Sequence, residues 1–170
     1  MKHSYEYAYG RILLKPLGSE DIEELRVLRN RERQCFLNQD IVDADSQIQW
    51  YDSYLKKEND IMFKVVKEDR PEEFIGAVAL YDIDTENKVA EFGRLMIDKE
   101  KAPEKGIGLE TTKAICRFGF DVLGIRKIVA VVLKNNERVL KVYARAGFHI
   151  CGEKSPDVYK MEATRETLSE

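Results

Sequence analysis

Residues 90–120, AEFGRLMIDKEKAPEKGIGLETTKAICRFGF, decide how the rest of the chain is read. The segment continues a strand over Val89–Ile97, where large apolar residues alternate with others and Gly93 interrupts the run. A glycine inside a strand marks a bulge or the close approach of a backbone or ligand. A charged loop follows, then the turn Lys105-Gly106-Ile107-Gly108. Beyond it Ile107, Ala114, Ile115, Phe118 and Val122 recur at helical spacing, so the turn opens a long amphipathic helix. The first N–H groups of that helix have no carbonyl partner of their own, and the glycines admit close approach. Such a start suits a phosphate or pyrophosphate; a tight turn with no ligand is the competing reading of a lone Gly-x-Gly. The Walker A pattern is excluded, since no Gly-Lys-Ser/Thr stands at the required spacing. The dinucleotide fingerprint fails as well, with Thr111 where its third glycine or alanine belongs.

Two apolar runs, residues 61–66 and 74–81, precede this segment and are joined by turn-rich residues. With Val89–Ile97 they form an antiparallel meander. The helix ends at Gly124, with Ile125 placed for the accompanying hydrophobic contact. Lys127–Leu133 (KIVAVVL) then reads as a buried strand, parallel to the strand before the helix. Asn135-Asn136 opens a further helix running through Tyr143 to Ala146 and closed by Gly147; residues 148–151 and 158–161 read as terminal strands.

Upstream, residues 11–17 (RILLKPL) form a first strand that Pro16 places at an edge or an end. Ser19 is the expected N-cap of a helix with Glu20 and Asp21 in its first turn. That helix turns Ile22, Leu25 and Leu28 inward and ends near Arg29-Asn30-Arg31. After a polar connection, a second helix over residues 46–57 places Ile48, Tyr51 and Leu55 on one face with Trp50 beside them. The architecture is α+β: one domain over residues 1–170, with a mixed, mostly antiparallel sheet and helices on both faces.

Composition narrows the function. Hydrophobic residues make up 44% and charged residues 35%, a globular balance rather than a disordered one. There are 28 basic against 31 acidic residues and no basic block, which argues against a nucleic-acid partner. Cys35, Cys116 and Cys151 are far apart and the histidines are His3 and His149, so no metal site is expected. With no signal-peptide core and no apolar run of membrane-spanning length, the expected setting is cytoplasmic, with reduced thiols.

The run Asn136-x-x-Val139-Leu140-x-Val142-Tyr143-x-x-x-Gly147-Phe148 follows a buried strand and the Gly-x-Gly helix. Together these motifs resemble the GNAT (Gcn5-related) acyltransferases, which move acetyl from acetyl-CoA to an amine. The resemblance covers nearly the whole chain. It implies a twisted sheet whose central strand splays from the next, with pantetheine in the gap. It implies that Lys105, Gly106, Ile107, Gly108 and Leu109 offer backbone amides to the coenzyme pyrophosphate. Leu95, Met96 and Ile97 would lie along pantetheine, and Asn136 would contact the coenzyme. A backbone N–H beside the thioester carbonyl would stabilise the oxyanion, an effect worth roughly 2.7–4 kcal/mol elsewhere. Tyr143 matches the family tyrosine that protonates the departing thiolate. Glu91 matches a position where some members carry the carboxylate base; ordered water is the alternative acceptor.

The chain also departs from the family. Pro103 and Glu104 stand where an arginine or glutamine, and often another glycine, are common; proline removes an N–H donor and Glu104 brings negative charge. The segment around residues 28–55 resembles the acceptor side of bacterial acetyltransferases acting on nucleotide-linked amino sugars. It is less similar to the polyamine and ribosomal-protein N-terminal enzymes. Arg29, Asn30 and Trp50 would then grip a small-molecule amine by charge and stacking. A noncatalytic acyl-CoA-binding module on the same fold is the alternative of a different class, and a homodimer through the terminal strands or N-terminal segment is compatible with the sequence.

Overall fold

The computed structural model describes residues 1–168. Eight strands form one sheet: β1 (Tyr7–Tyr9), β2 (Ile12–Pro16), β3 (Ile61–Lys67), β4 (Gly76–Asp84), β5 (Val89–Ile97), β6 (Lys127–Leu133), β7 (His149–Ser155) and β8 (Val158–Thr164). Their spatial order is β1-β2-β3-β4-β5-β6-β8-β7. Every pairing is antiparallel except β5–β6, which the helix crossover between them makes parallel. Four α-helices complete the architecture: α1 (Ile22–Arg31), α2 (Ala44–Lys56), α3 (Ile107–Asp121) and α4 (Glu137–Ala146).

The strand alternation sorts two cores. Val78 and Leu80 of β4 face α3 and α4 with Phe63, Val65, Ile115 and Phe118. Ala77 and Ala79, one residue out of phase, face α1 and α2 with Leu25, Leu28, Tyr54 and Met62. A period of two divides one strand between two helical layers.

Two irregularities shape β5. Ala77 pairs with Met96 and Ala79 with Gly93, so Arg94 and Leu95 together oppose the single Val78. This is a β-bulge, and Arg94 adopts the left-handed conformation at φ +54°. Already before the bulge, β5 leaves its parallel neighbour: pairing runs only from Val89↔Lys127 to Glu91↔Val129, although both strands continue. β6 stays paired with β8 along Lys127–Leu133, so the sheet opens as a wedge between β5 and β6.

Several local expectations need correction. Gly18 and Asp21, not Ser19, organise the entry to α1: the Gly18 N–H donates to the Asp21 carboxylate at 2.8 Å, and buried Asp21 also receives Lys64 at 3.0 Å. A 3-10 turn (Ser19–Asp21) precedes the helix. α2 begins two residues earlier than expected because Asp43 caps it, accepting from the Ser46 N–H at 2.7 Å. Its inward face is Gln47 and Tyr54, with Trp50 stacked on Tyr54 at 5.5 Å; Ile48 is 55% exposed. Val122 lies just past the end of α3 and is 49% exposed rather than inward. β1 was not legible as a strand, and β7 and β8 each run further than their apolar residues indicate.

Candidate active site

The turn before α3 has the geometry its glycines suggest. Gly106 is the N-cap at φ +94°, and no side chain caps the helix. A Cβ at Gly108 would meet nothing within 4 Å, so the first turn stands beside open space. Arg11 fixes the turn from the next layer, donating to the Lys105 carbonyl at 3.0 Å and to Glu110 at 2.9 Å. Glu104 is neutralised locally: Lys67, nearly buried, donates to its carboxylate at 2.5 Å and holds it below the usual carboxylate range. The negative charge expected to trouble this loop is therefore already paired.

A groove beside this turn is lined by Leu95, Met96, Ile97, Gly108, Asn136, Val139 and Val142, with Cys35 and Glu32 closing it from the opposite side. It brings the end of β5, the start of α3 and the start of α4 together. Asn136 caps α4, its side-chain oxygen accepting from the Val139 N–H at 3.2 Å. Lys99 and Arg138 border the same groove. Burial and then the Arg138 charge lower the Lys99 ammonium from its ordinary value, with Glu32 of the same groove opposing them.

The wedge between β5 and β6 holds a cavity of about 320 Å³. Gly93, Arg94 and Leu95 form one wall, Val131, Val132 and Leu133 the other, and Tyr143 reaches in from α4. The Tyr143 ring packs on Phe92 at 4.9 Å and Phe148 at 5.6 Å. Among the described residues, none hydrogen-bonds its hydroxyl, and burial pushes the phenol well above its usual range. It remains a proton donor at neutral pH. Glu91 does not line this cavity; its carboxylate accepts from the Tyr81 hydroxyl at 2.9 Å, and Tyr81 does line it.

A third cavity, about 390 Å³, lies on the α1–α2 side and is lined by Arg29, Phe36, Gln47, Trp50, Arg94 and Met96, among others. Arg29 caps Phe36 at 4.7 Å and donates to the Asn38 carbonyl, while its second terminal nitrogen is buried without a partner. Gln47 is buried at 6% exposure and lines the same cavity. Among the described residues, no carboxylate lines this cavity. Asn30, expected beside Arg29 as a substrate contact, is turned away from it. Its amide is spent on the Val42 backbone, donating at 2.8 Å and accepting at 2.9 Å, which clasps the connection between α1 and α2.

Arg94 joins the cavities, and nothing in sequence spacing marked it. Its bulge conformation sends the guanidinium to Asp60, with bonds of 2.7 and 2.9 Å, across the face of Tyr81 at 4.5 Å. Lining residues shared between neighbouring cavities make one path, from Gly108 past Leu95 and Tyr143 to Arg94 and Trp50. A helix start beside open space, a slot in a split sheet and a cavity on the far side form the continuous path that a group-transfer enzyme with an extended donor requires.

Residues 11–149 match the family model for the acetyltransferase (GNAT) domain, and the chain belongs to that family. It is an N-acetyltransferase, and the family's acyl donor is acetyl-CoA. The spermidine N(1)-acetyltransferase of Escherichia coli K12 is 28% identical over 144 residues, covering 84% of this chain and 75% of that protein. In fold, the chain is similar to a Vibrio cholerae spermidine N-acetyltransferase solved with CoA and spermine, at TM-score 0.81 and 21% identity over 92% of this chain and 97% of the other. It is also similar in fold to FdhC, a nucleotide-linked sugar GNAT, at TM-score 0.84 and 21% identity over 97% of this chain and 93% of the other. Among the described residues, no group of side chains is arranged to hold a metal, and no helix is long and apolar enough to cross a membrane.

Proposed function

We propose that this chain acetylates a small-molecule primary amine that also carries an anionic group, with a nucleotide-linked amino sugar the substrate class of best fit. The observation that carries this reading is the lining of the α1–α2 cavity: two arginines, a tryptophan and a glutamine, with no carboxylate among the described residues. A phosphate would meet the Arg29 guanidinium, a base or sugar face would stack on Trp50, and Gln47 would supply a directional hydrogen bond. A polyamine, carrying only positive charge, would find no counter-charge there.

Acetyl-CoA would lay its pyrophosphate on the amides of residues 105–109, with Lys99 and Arg138 nearby, and its pantetheine along Leu95, Met96 and Ile97. The thioester would then reach the bulge, where the two-against-one register leaves a backbone N–H outside the ladder to meet the oxyanion. Tyr143 would give its proton to the departing thiolate.

The test is coenzyme A release from acetyl-CoA with amino-sugar nucleotides and with spermidine offered separately. A kcat/KM at least tenfold higher for an amino-sugar nucleotide is expected, and Arg29→Ala should lower it mainly through KM. Preference for spermidine would overturn the assignment of acceptor.

A further inference from the structure

The base of this reaction has to take a proton from an ammonium, yet the carboxylate in the right region, Glu91, does not line the cavity where the amine must arrive. Tyr81 stands between them. It projects from β4 into the same cavity as Tyr143, and its hydroxyl donates to Glu91 at 2.9 Å. Gly93 makes this contact possible: a Cβ there would lie 2.6 Å from the Tyr81 hydroxyl. The glycine in β5 therefore keeps room for a phenol, in addition to adjoining the bulge. Arg94 covers the Tyr81 ring at 4.5 Å, and its positive charge disfavours a second cation at that spot.

We propose that Tyr81 is a catalytic proton relay that takes a proton from the incoming ammonium while passing its own to Glu91. This rests on the acetyl-transfer reading above and adds the route of the first proton. An N–H bond of the ammonium breaks as an O–H bond forms on Tyr81, whose original O–H bond breaks as one forms on Glu91. The freed nitrogen lone pair attacks the thioester carbon. On collapse, the C–S bond breaks and the thiolate takes the Tyr143 proton; the second proton shed by the nitrogen restores Tyr143. Glu91 returns its proton to water after product leaves, so the sum is amine acetylation with one proton released. The charged and titratable groups around Tyr81 are Glu91 and Arg94 of β5, Asp82 of its own strand and Tyr143 of α4. Arg29 and Cys35 face the same cavity.

The experiment compares wild type, Tyr81→Phe, Glu91→Gln and the double variant, using the acceptor of highest kcat/KM from the amine panel, between pH 6.5 and 10. Phenylalanine keeps the ring under Arg94 and removes only the hydroxyl. At pH 7, each single variant should lose about 10²-fold or more in kcat/KM. The double variant should lose no more than the worse single one, because the two groups act as one unit. The defect should shrink steadily as pH rises toward the pKa of the amine, with KM for acetyl-CoA unchanged. A loss independent of pH, additive losses, or a fully active Tyr81→Phe would each overturn the relay alone. Failure of wild type to release coenzyme A with any amine would instead overturn the acetyl-transfer reading.

Discussion

At the scale of single residues, the site depends on groups that are buried for a reason. Tyr143 is enclosed by Phe92 and Phe148, and none of the described residues hydrogen-bonds its hydroxyl. Burial raises the cost of the phenolate, so the proton stays on oxygen at neutral pH, as the proposed donor to the leaving thiolate requires. Tyr143→Phe retains the ring packing; kcat should fall by roughly 10²–10⁴ while KM for acetyl-CoA holds, as steady-state kinetics would show. Arg29 follows the opposite logic: it leaves one guanidinium nitrogen buried without a partner beside a cavity, an arrangement that costs stability unless a ligand completes it. Asn30 spends its whole amide on Val42 instead. Sequence proximity placed Arg29 and Asn30 together, and side-chain direction on the helix separated them.

At the scale of elements, two glycines in one turn do different work. Gly106 sits at φ +94°, where a Cβ is strained, so Gly106→Ala should cost about 1–2 kcal/mol in urea unfolding. Gly108 is the second residue of α3 and faces open space. There alanine should stabilise the helix by about 0.5–1 kcal/mol, yet weaken acetyl-CoA binding because its methyl enters the groove. Opposite signs for stability and affinity at Gly108, measured by unfolding and by calorimetric titration, would separate a ligand-facing glycine from a purely structural one. The β5 bulge works in the same way at strand level. It interrupts the β4 ladder, lies in the part of β5 that has already left β6, and aims Arg94 at Asp60.

At the scale of the whole molecule, the proposed donor path is built from β5, α3 and α4, and the proposed acceptor cavity from α1, α2 and the bulge. Since only the folded chain assembles the donor path, acetyl-CoA should raise stability by RT ln(1 + [L]/Kd), about 2.7 kcal/mol at a hundredfold excess over Kd. For a chain of this length that corresponds to a rise in melting temperature of roughly 5–11 °C. Coenzyme A should act similarly and ATP should not; equal shifts with all three would count against the pantetheine slot.

Much of this was legible in the amino-acid sequence. The limits of β5 and β6, the parallel crossover between them, and the Asn136 and Gly147 ends of α4 follow from local signals: apolar runs, a capping side chain and a left-handed glycine. The helix start at Gly106 and the family motif around Tyr143 are local as well. Tertiary structure decided the rest. Which face of α2 turns inward depends on what it packs against, so Tyr54 is buried while Ile48 is not. The fate of Asn30, the neutralisation of Glu104 by Lys67 and the meeting of Tyr81 with Glu91 over Gly93 join residues whose side-chain directions only the folded layers fix. Arg94 shows the difference most plainly: a bulge is a property of two paired strands, and no single strand's sequence states which residue the partner will leave over.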